Sequence, residues 1–110
     1  MKRAKQKKLT ERGWKVGTAG DFLGLTPEEA AFVEIKLALS GALRMQRQTA
    51  KLSQTQAARK LGSSQSRVAK MEAGDPSVSL DLLIRSLLAL GATKKTVART
   101  IGAAHFRRAA

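Results

Sequence analysis

The chain has 110 residues, no cysteine, one histidine and a formal net charge of +13. That length holds one domain with a modest core and leaves no room for a separate effector domain. The missing thiols and single imidazole exclude disulfides, thiol chemistry and a metal site built on histidine and cysteine, so no cofactor is expected. The basic balance points to a polyanionic partner, nucleic acid ahead of an anionic membrane.

Residues 1–12 read as a basic flexible arm, with Lys2, Arg3, Lys5, Lys7, Lys8 and Arg12 set against Glu11. Such an arm either reaches phosphates or a minor groove beside a DNA-binding element, or is a solvated tail. No apolar core follows these charges, so no secretory signal is expected. No later run is long enough to cross a bilayer, and a cytoplasmic protein is expected. Residues 13–25 form an extension. Gly13-Trp14-Lys15-Val16-Gly17 alternates apolar and polar positions between glycines, the pattern of a short extended segment. Trp14 is expected to be buried, in its own domain or across a two-fold axis. Thr18 caps a short helical turn through Asp21-Phe22-Leu23, which Gly24 ends.

A larger all-α domain is expected over 26–102. Thr26-Pro27-Glu28-Glu29 is a strong helix start: threonine at the N-cap, proline at N1, and Glu29 completing a capping box. That helix is predicted to run to about Ala50, with Phe32, Ile35, Leu39, Leu43 and Met45 facing the core and Gly41 marking a bend or a close helix contact. Ser53 and Gln56 form the next capping box, opening a helix through Ala57, Ala58 and Leu61 that Gly62 stops. After a very short turn Ser64 caps a second helix, which carries Val68 and Met71 on one face and ends at Gly74, before Asp75-Pro76. Ser79 caps a helix whose apolar residues Leu80, Leu83, Ile84, Leu87 and Leu88 recur at helical spacing; Leu82 and Leu90 widen its apolar arc and offer a dimer contact. Thr93 caps a last helix with Val97 and Ile101 inside and Lys94, Lys95 and Arg99 outside. Residues 103–110 form a frayed basic tail in which His105 is a surface residue.

The pair of short helices between Leu52 and Gly74 carries the functional signal. Opposite Val68 and Met71, the helix from Ser64 to Ala73 presents Gln65, Ser66, Arg67 and Lys70. Glutamine can bond adenine bidentately, lysine and arginine can bond guanine, and serine can meet several base edges. The N-terminus of the preceding helix, with Gln54, offers free N–H groups to a phosphate. Ser64, Lys51, Arg59 and Lys60 are further candidates for phosphate contact.

The stretch resembles the helix-turn-helix of the Cro and lambda-repressor class, the XRE family of bacterial regulators, through Leu52-Ser53-Gln54, Ala58, Leu61-Gly62, Ser64, Val68 and Met71-Glu72-x-Gly74. Leu43-Arg44-x-x-Arg47 fits the end of that family's first helix, and the resemblance covers about two-thirds of the chain. It implies a lambda-repressor-like bundle of about five helices. It also implies that Gln54 touches a phosphate, that Gln65, Ser66 and Lys70 face bases, and that Arg47 forms a buried ion pair with Glu72. Two departures stand out: Ala57 replaces a usually larger residue, and Thr49-Ala50-Lys51 lacks the usual glycine before Leu52. The expected function is that of a sequence-specific regulator of transcription, a repressor binding a pseudo-palindromic duplex as a homodimer.

A second, looser resemblance lies upstream. Gly13-Trp14-x-Val16-Gly17, Asp21-Phe22-Leu23-Gly24 and Pro27-Glu28-Glu29, placed before the helix-turn-helix, are similar to small antitoxin-type regulators of the HigA kind. The alternative this implies is an antitoxin that masks a small RelE-like toxin protein and represses its own operon. A strongly basic chain is poorly matched to a basic toxin, because like charges repel. An enzyme is not expected: glutamates and aspartates are few, most are accounted for by helix starts and pairing, and no nucleophile-and-base set or phosphate loop remains.

Overall fold

The computed structural model describes residues 24–104. These form five α-helices and no strand: α1 (Pro27–Thr49), α2 (Gln54–Leu61), α3 (Gln65–Ala73), α4 (Leu80–Ala89) and α5 (Lys94–Gly102). Residues 35–104 make one compact unit, and the first turns of α1, up to Glu34, fall outside it. The basic arm, the extended segment with Trp14, the helical turn at 21–23 and the tail from His105 lie outside the described residues.

Local chemistry sets every helix start. Thr26 and Glu29 form a reciprocal capping box: the Glu29 N–H donates to Thr26 Oγ1 at 3.1 Å and the Thr26 N–H donates to Glu29 Oε1 at 2.8 Å. Ser53 and Gln56 do the same at 3.0 and 2.8 Å. Ser64, Ser79 and Thr93 accept from the N–H groups of Arg67, Leu82 and Thr96. Each cap satisfies a donor that the first helical turn leaves without an intrahelical partner, and each is worth about 1 kcal/mol.

Four of the five helices also stop in one way. At the end of α1 the Leu52 N–H donates to the Arg47 carbonyl and the Lys51 N–H to that of Gln48. The same two crossed bonds recur at Gly62-Ser63, Gly74-Asp75 and Gly91-Ala92. This closure requires a left-handed residue. Glycine fills that place in three cases, but after α1 it is Lys51, at φ 60°. A side chain there costs about 1–2 kcal/mol. Gly74 is further constrained by packing: a Cβ on it would sit 2.7 Å from Leu37 Cδ2 of α1.

The core gathers Leu39 and Leu43 of α1, Ala57 and Ala58 of α2, Val68 and Met71 of α3, Val78 of the following loop, Leu83 and Leu87 of α4, Leu90, and Val97 of α5. Leu39, Leu43, Val68, Met71, Leu83 and Leu87 are essentially inaccessible, and each contributes about 1.5–3 kcal/mol through burial. Ser86 is buried beside them and donates its hydroxyl to the Met71 sulfur. The Gln46 amide ties α1 to the end of α4 by donating to the Leu90 carbonyl at 3.0 Å.

Three expected core positions are corrected. Met45 is 66% exposed, because it lies two residues and so about 200° around the helix from Leu43. Leu88 is also exposed, since it has drifted about 80° from Leu80 by the eighth step. Phe32 is exposed and precedes the compact unit. Gly41, expected at a bend or close contact, is exposed, and a Cβ there would meet nothing within 4 Å.

Glycine thus sits where it is unneeded, at 41, and is missing where the backbone favours it, at 51. Gly41→Ala should stabilise the domain by ~1 kcal/mol, raising its melting temperature by roughly 4–8 °C. Lys51→Gly should stabilise it by roughly 0.5–1 kcal/mol, the relief of left-handed strain less the added freedom of the unfolded chain. Calorimetric melts of the two variants test both values.

Candidate nucleic-acid interface

The pair α2–α3 is joined by Gly62, Ser63 and Ser64, one residue in the left-handed conformation and one N-cap. Such a short joint holds the two helices in contact and dictates which side of α3 turns outward. Val68 and Met71 point into the core. Gln65, Ser66, Arg67 and Lys70 are all exposed.

Behind this edge lies a polar network that crosses four segments of the chain. Arg47, near the end of α1, forks onto Glu72 of α3: Nε donates to Oε2 at 2.5 Å and Nη2 to Oε1 at 3.0 Å. Its third nitrogen, Nη1, donates to the Leu52 carbonyl at 2.9 Å. The two side chains keep only 13% and 5% of their surface exposed. Gln54, the first residue of α2, donates its amide to Glu72 Oε1 at 3.1 Å. Its own carbonyl oxygen accepts from Gln65 Nε2 at 2.7 Å. A continuous line of hydrogen bonds therefore runs from the interior to the first residue of α3.

Charge follows the same line. Burial pushes the Glu72 carboxyl up, but hydrogen bonds from Arg47 and Gln54, and the charges of Arg47 and Arg44, outweigh it and hold the group below the usual carboxylate range. Arg47 is held above its ordinary value, chiefly by its hydrogen bond to Glu72.

The opposite flank of α3 borders a cavity of about 310 Å³. Ser64, Ser66, Arg67 and Lys70 line it from α3 and its cap, Ser77 and Val78 from the loop, and Leu82 from α4. Of the residues expected at phosphates, Ser64 borders this cavity and Gln54 belongs to the network, whereas Lys51, Arg59 and Lys60 are exposed and neither line the cavity nor bond into the network. Arg59 and Lys60 occupy the last turn of α2, where the helix dipole favours cations. Ser77, which borders the cavity, and Asp75, to which it donates, are not among the residues expected from the sequence. Asp75-Pro76 reads in the sequence only as the bar to a longer α3, and the place of Ser77 beside that helix is a tertiary fact.

Comparison with known families agrees with this geometry. A family model described as a helix-turn-helix domain matches residues 38–100. The chain belongs to the helix-turn-helix domain family. The matched span falls inside the compact unit and runs from α1 into α5. Membership makes this helix-turn-helix protein one of a DNA-binding class. No curated protein and no solved structure matches the chain. Among the described residues no helix is long and apolar enough to cross a membrane, and no group of three or more histidine, aspartate or glutamate side chains is placed to hold a metal ion.

The Arg47–Glu72 fork is the part of the interface most open to a stability test. Arg47→Ala should cost about 3–5 kcal/mol in chemical denaturation, because it orphans a buried carboxylate. Since the folded state holds Glu72 below its unfolded value, the pair's contribution is fully present above the ordinary glutamate pKa of about 4 and is lost as pH falls through the folded value. Between pH 7 and pH 3 the stability of Glu72→Gln should therefore fall less than that of the parent.

Proposed function

We propose that this chain is a sequence-specific double-stranded DNA-binding regulator of transcription that uses α3 as its recognition helix. The observation that carries the reading is the exposed polar edge of Gln65, Ser66, Arg67 and Lys70, whose first residue, Gln65, is anchored through Gln54 to a buried ion pair. The anchoring matters chemically. Gln65 spends one amide hydrogen on Gln54, and keeps its second amide hydrogen and its carbonyl oxygen. Those are the donor and the acceptor that adenine N7 and N6 require. Gln54 likewise keeps one amide hydrogen, suited to a phosphate beside the start of α2. Ser66 and Lys70, one turn apart, complete the base-reading edge, with Arg67 beside them.

Affinity in this reading comes from cations that release counterions on neutralising phosphates: Lys51, Arg59 and Lys60, with Ser64 adding a neutral contact. Within 35–104 the acidic residues are Glu72, Asp75 and Asp81. Glu72 is paired with Arg47, Asp75 is bonded to Ser77, and Asp81 lies 3.8 Å from Arg85. Each of the three thus has a cationic or hydroxyl neighbour, although the Asp81 side chain stays 76% exposed. Acting as a homodimeric repressor, two copies would set their recognition helices about 34–36 Å apart on a pseudo-palindromic site.

Selection from a pool of randomised duplexes, followed by binding titrations in graded salt, tests the proposal. Gln65→Ala should lose about 1–3 kcal/mol on the selected duplex and little on random DNA. Equal loss on both would remove its base-reading role. Lys60→Ala should weaken binding to every duplex alike and reduce the salt slope by about 1. An unchanged slope would take Lys60 out of the phosphate contacts.

A further inference from the structure

The cavity beside α3 has walls of opposite hydrogen-bonding character. On the helix side Arg67 and Lys70 bring charged donors. On the loop side stands Ser77, whose hydroxyl donates to Asp75 Oδ1 at 2.6 Å while its N–H donates to the same oxygen at 2.8 Å. A serine has a single hydroxyl hydrogen. With that hydrogen given to Asp75, the Ser77 oxygen can act toward the cavity only as an acceptor.

Several features keep it so. The side-chain and backbone hydrogen bonds from Ser77 hold the Asp75 carboxyl below the usual carboxylate range, so at neutral pH it is ionised and has no proton to donate in exchange. Val78, the next residue, is buried in the core. The Lys36 ammonium of α1 donates to the Pro76 carbonyl at 3.4 Å. The loop is thus tied down on both sides of the hydroxyl.

This arrangement discriminates between the two kinds of group that DNA could offer. A phosphate presents only acceptors, and at the loop wall it would meet the Ser77 oxygen, an acceptor backed by a carboxylate. A base edge in the major groove can present an exocyclic amino group, N4 of cytosine or N6 of adenine, beside neighbouring acceptors. That alternation matches a cavity with an acceptor on one wall and cationic donors on the other. We infer that Ser77, oriented by Asp75, is a specificity-determining residue that accepts a hydrogen bond from the amino group of a cytosine or an adenine while Lys70 or Arg67 donates within the same cavity.

The inference rests on the DNA-reading role of α3, and one experiment separates the two. Duplexes are selected from a randomised pool by the full-length parent, by Ser77→Ala and by Asp75→Ala. The parent should show a position at which cytosine or adenine is preferred. Ser77→Ala should lose that preference by about three- to tenfold, the range for a single hydrogen bond. It should keep the preferences set by Gln65 and leave the salt slope unchanged, since no charge is removed. Asp75→Ala frees the hydroxyl to donate, so the same position should shift toward guanine or thymine, which present O6 or O4 as acceptors. An identical profile for the parent and Ser77→Ala would overturn the inference and leave the role of Gln65 standing. Weaker binding of Ser77→Ala to all duplexes alike would also overturn it, marking a phosphate contact instead. A parent without any sequence preference would overturn both readings.

Discussion

The interaction on which the structure depends is the fork of Arg47 onto Glu72. It joins the first helix of the compact unit to the third, and it does so across the short segment at Leu52, whose carbonyl Arg47 also holds. A charge pair with so little exposed surface is not a bargain in free energy: removing two ions from water costs several kcal/mol, and the attraction between them must offset it. What the pair secures is placement. Glu72 has two oxygens to fill, and Arg47 together with Gln54 fills them, so the start of α2 and the end of α3 are located by a single carboxylate.

From that point outward the order is passed on through amides. Gln54 turns toward Glu72 and thereby directs its carbonyl oxygen at Gln65. Gln65, on the exposed edge, is therefore held by the partly buried Gln54, which is itself held by the covered carboxylate of Glu72. The loop after α3 follows the same logic with a different donor: Ser77 is committed by Asp75, and the backbone around it by Lys36 and Val78. One carboxylate thus orients Gln65 through Gln54, and a second, half-buried one orients Ser77 in the loop beside α3.

The pattern of legibility follows the range of the interactions. Helix starts were readable because a capping box is complete within four residues, as at Thr26–Glu29 and Ser53–Gln56. The stop of α2 was readable because Gly62 is a local answer to a local backbone demand. The stop of α1 was less so: Lys51 occupies a left-handed position that composition alone would give to glycine, and its conformation is imposed by the closure around it. Met45 and Leu88 were misjudged because an apolar residue near the edge of a stripe reads much like one at its centre, and only the neighbouring helices decide which is covered. The Arg47–Glu72 pairing came only by resemblance, since 25 residues separate the partners. The bond between Gln54 and Gln65, and the place of Ser77 beside α3, depend on how helices pack, which no spacing encodes.

One consequence of the amide line concerns transplantation. The orientation of Gln65 is not a property of its own helix, because the group that sets it belongs to α2 and is itself set from α1. A graft of α3 alone into another scaffold would deliver the same side chains with the Gln65 amide free to rotate. Residues 47, 54, 65 and 72 form the smallest set that would have to travel together.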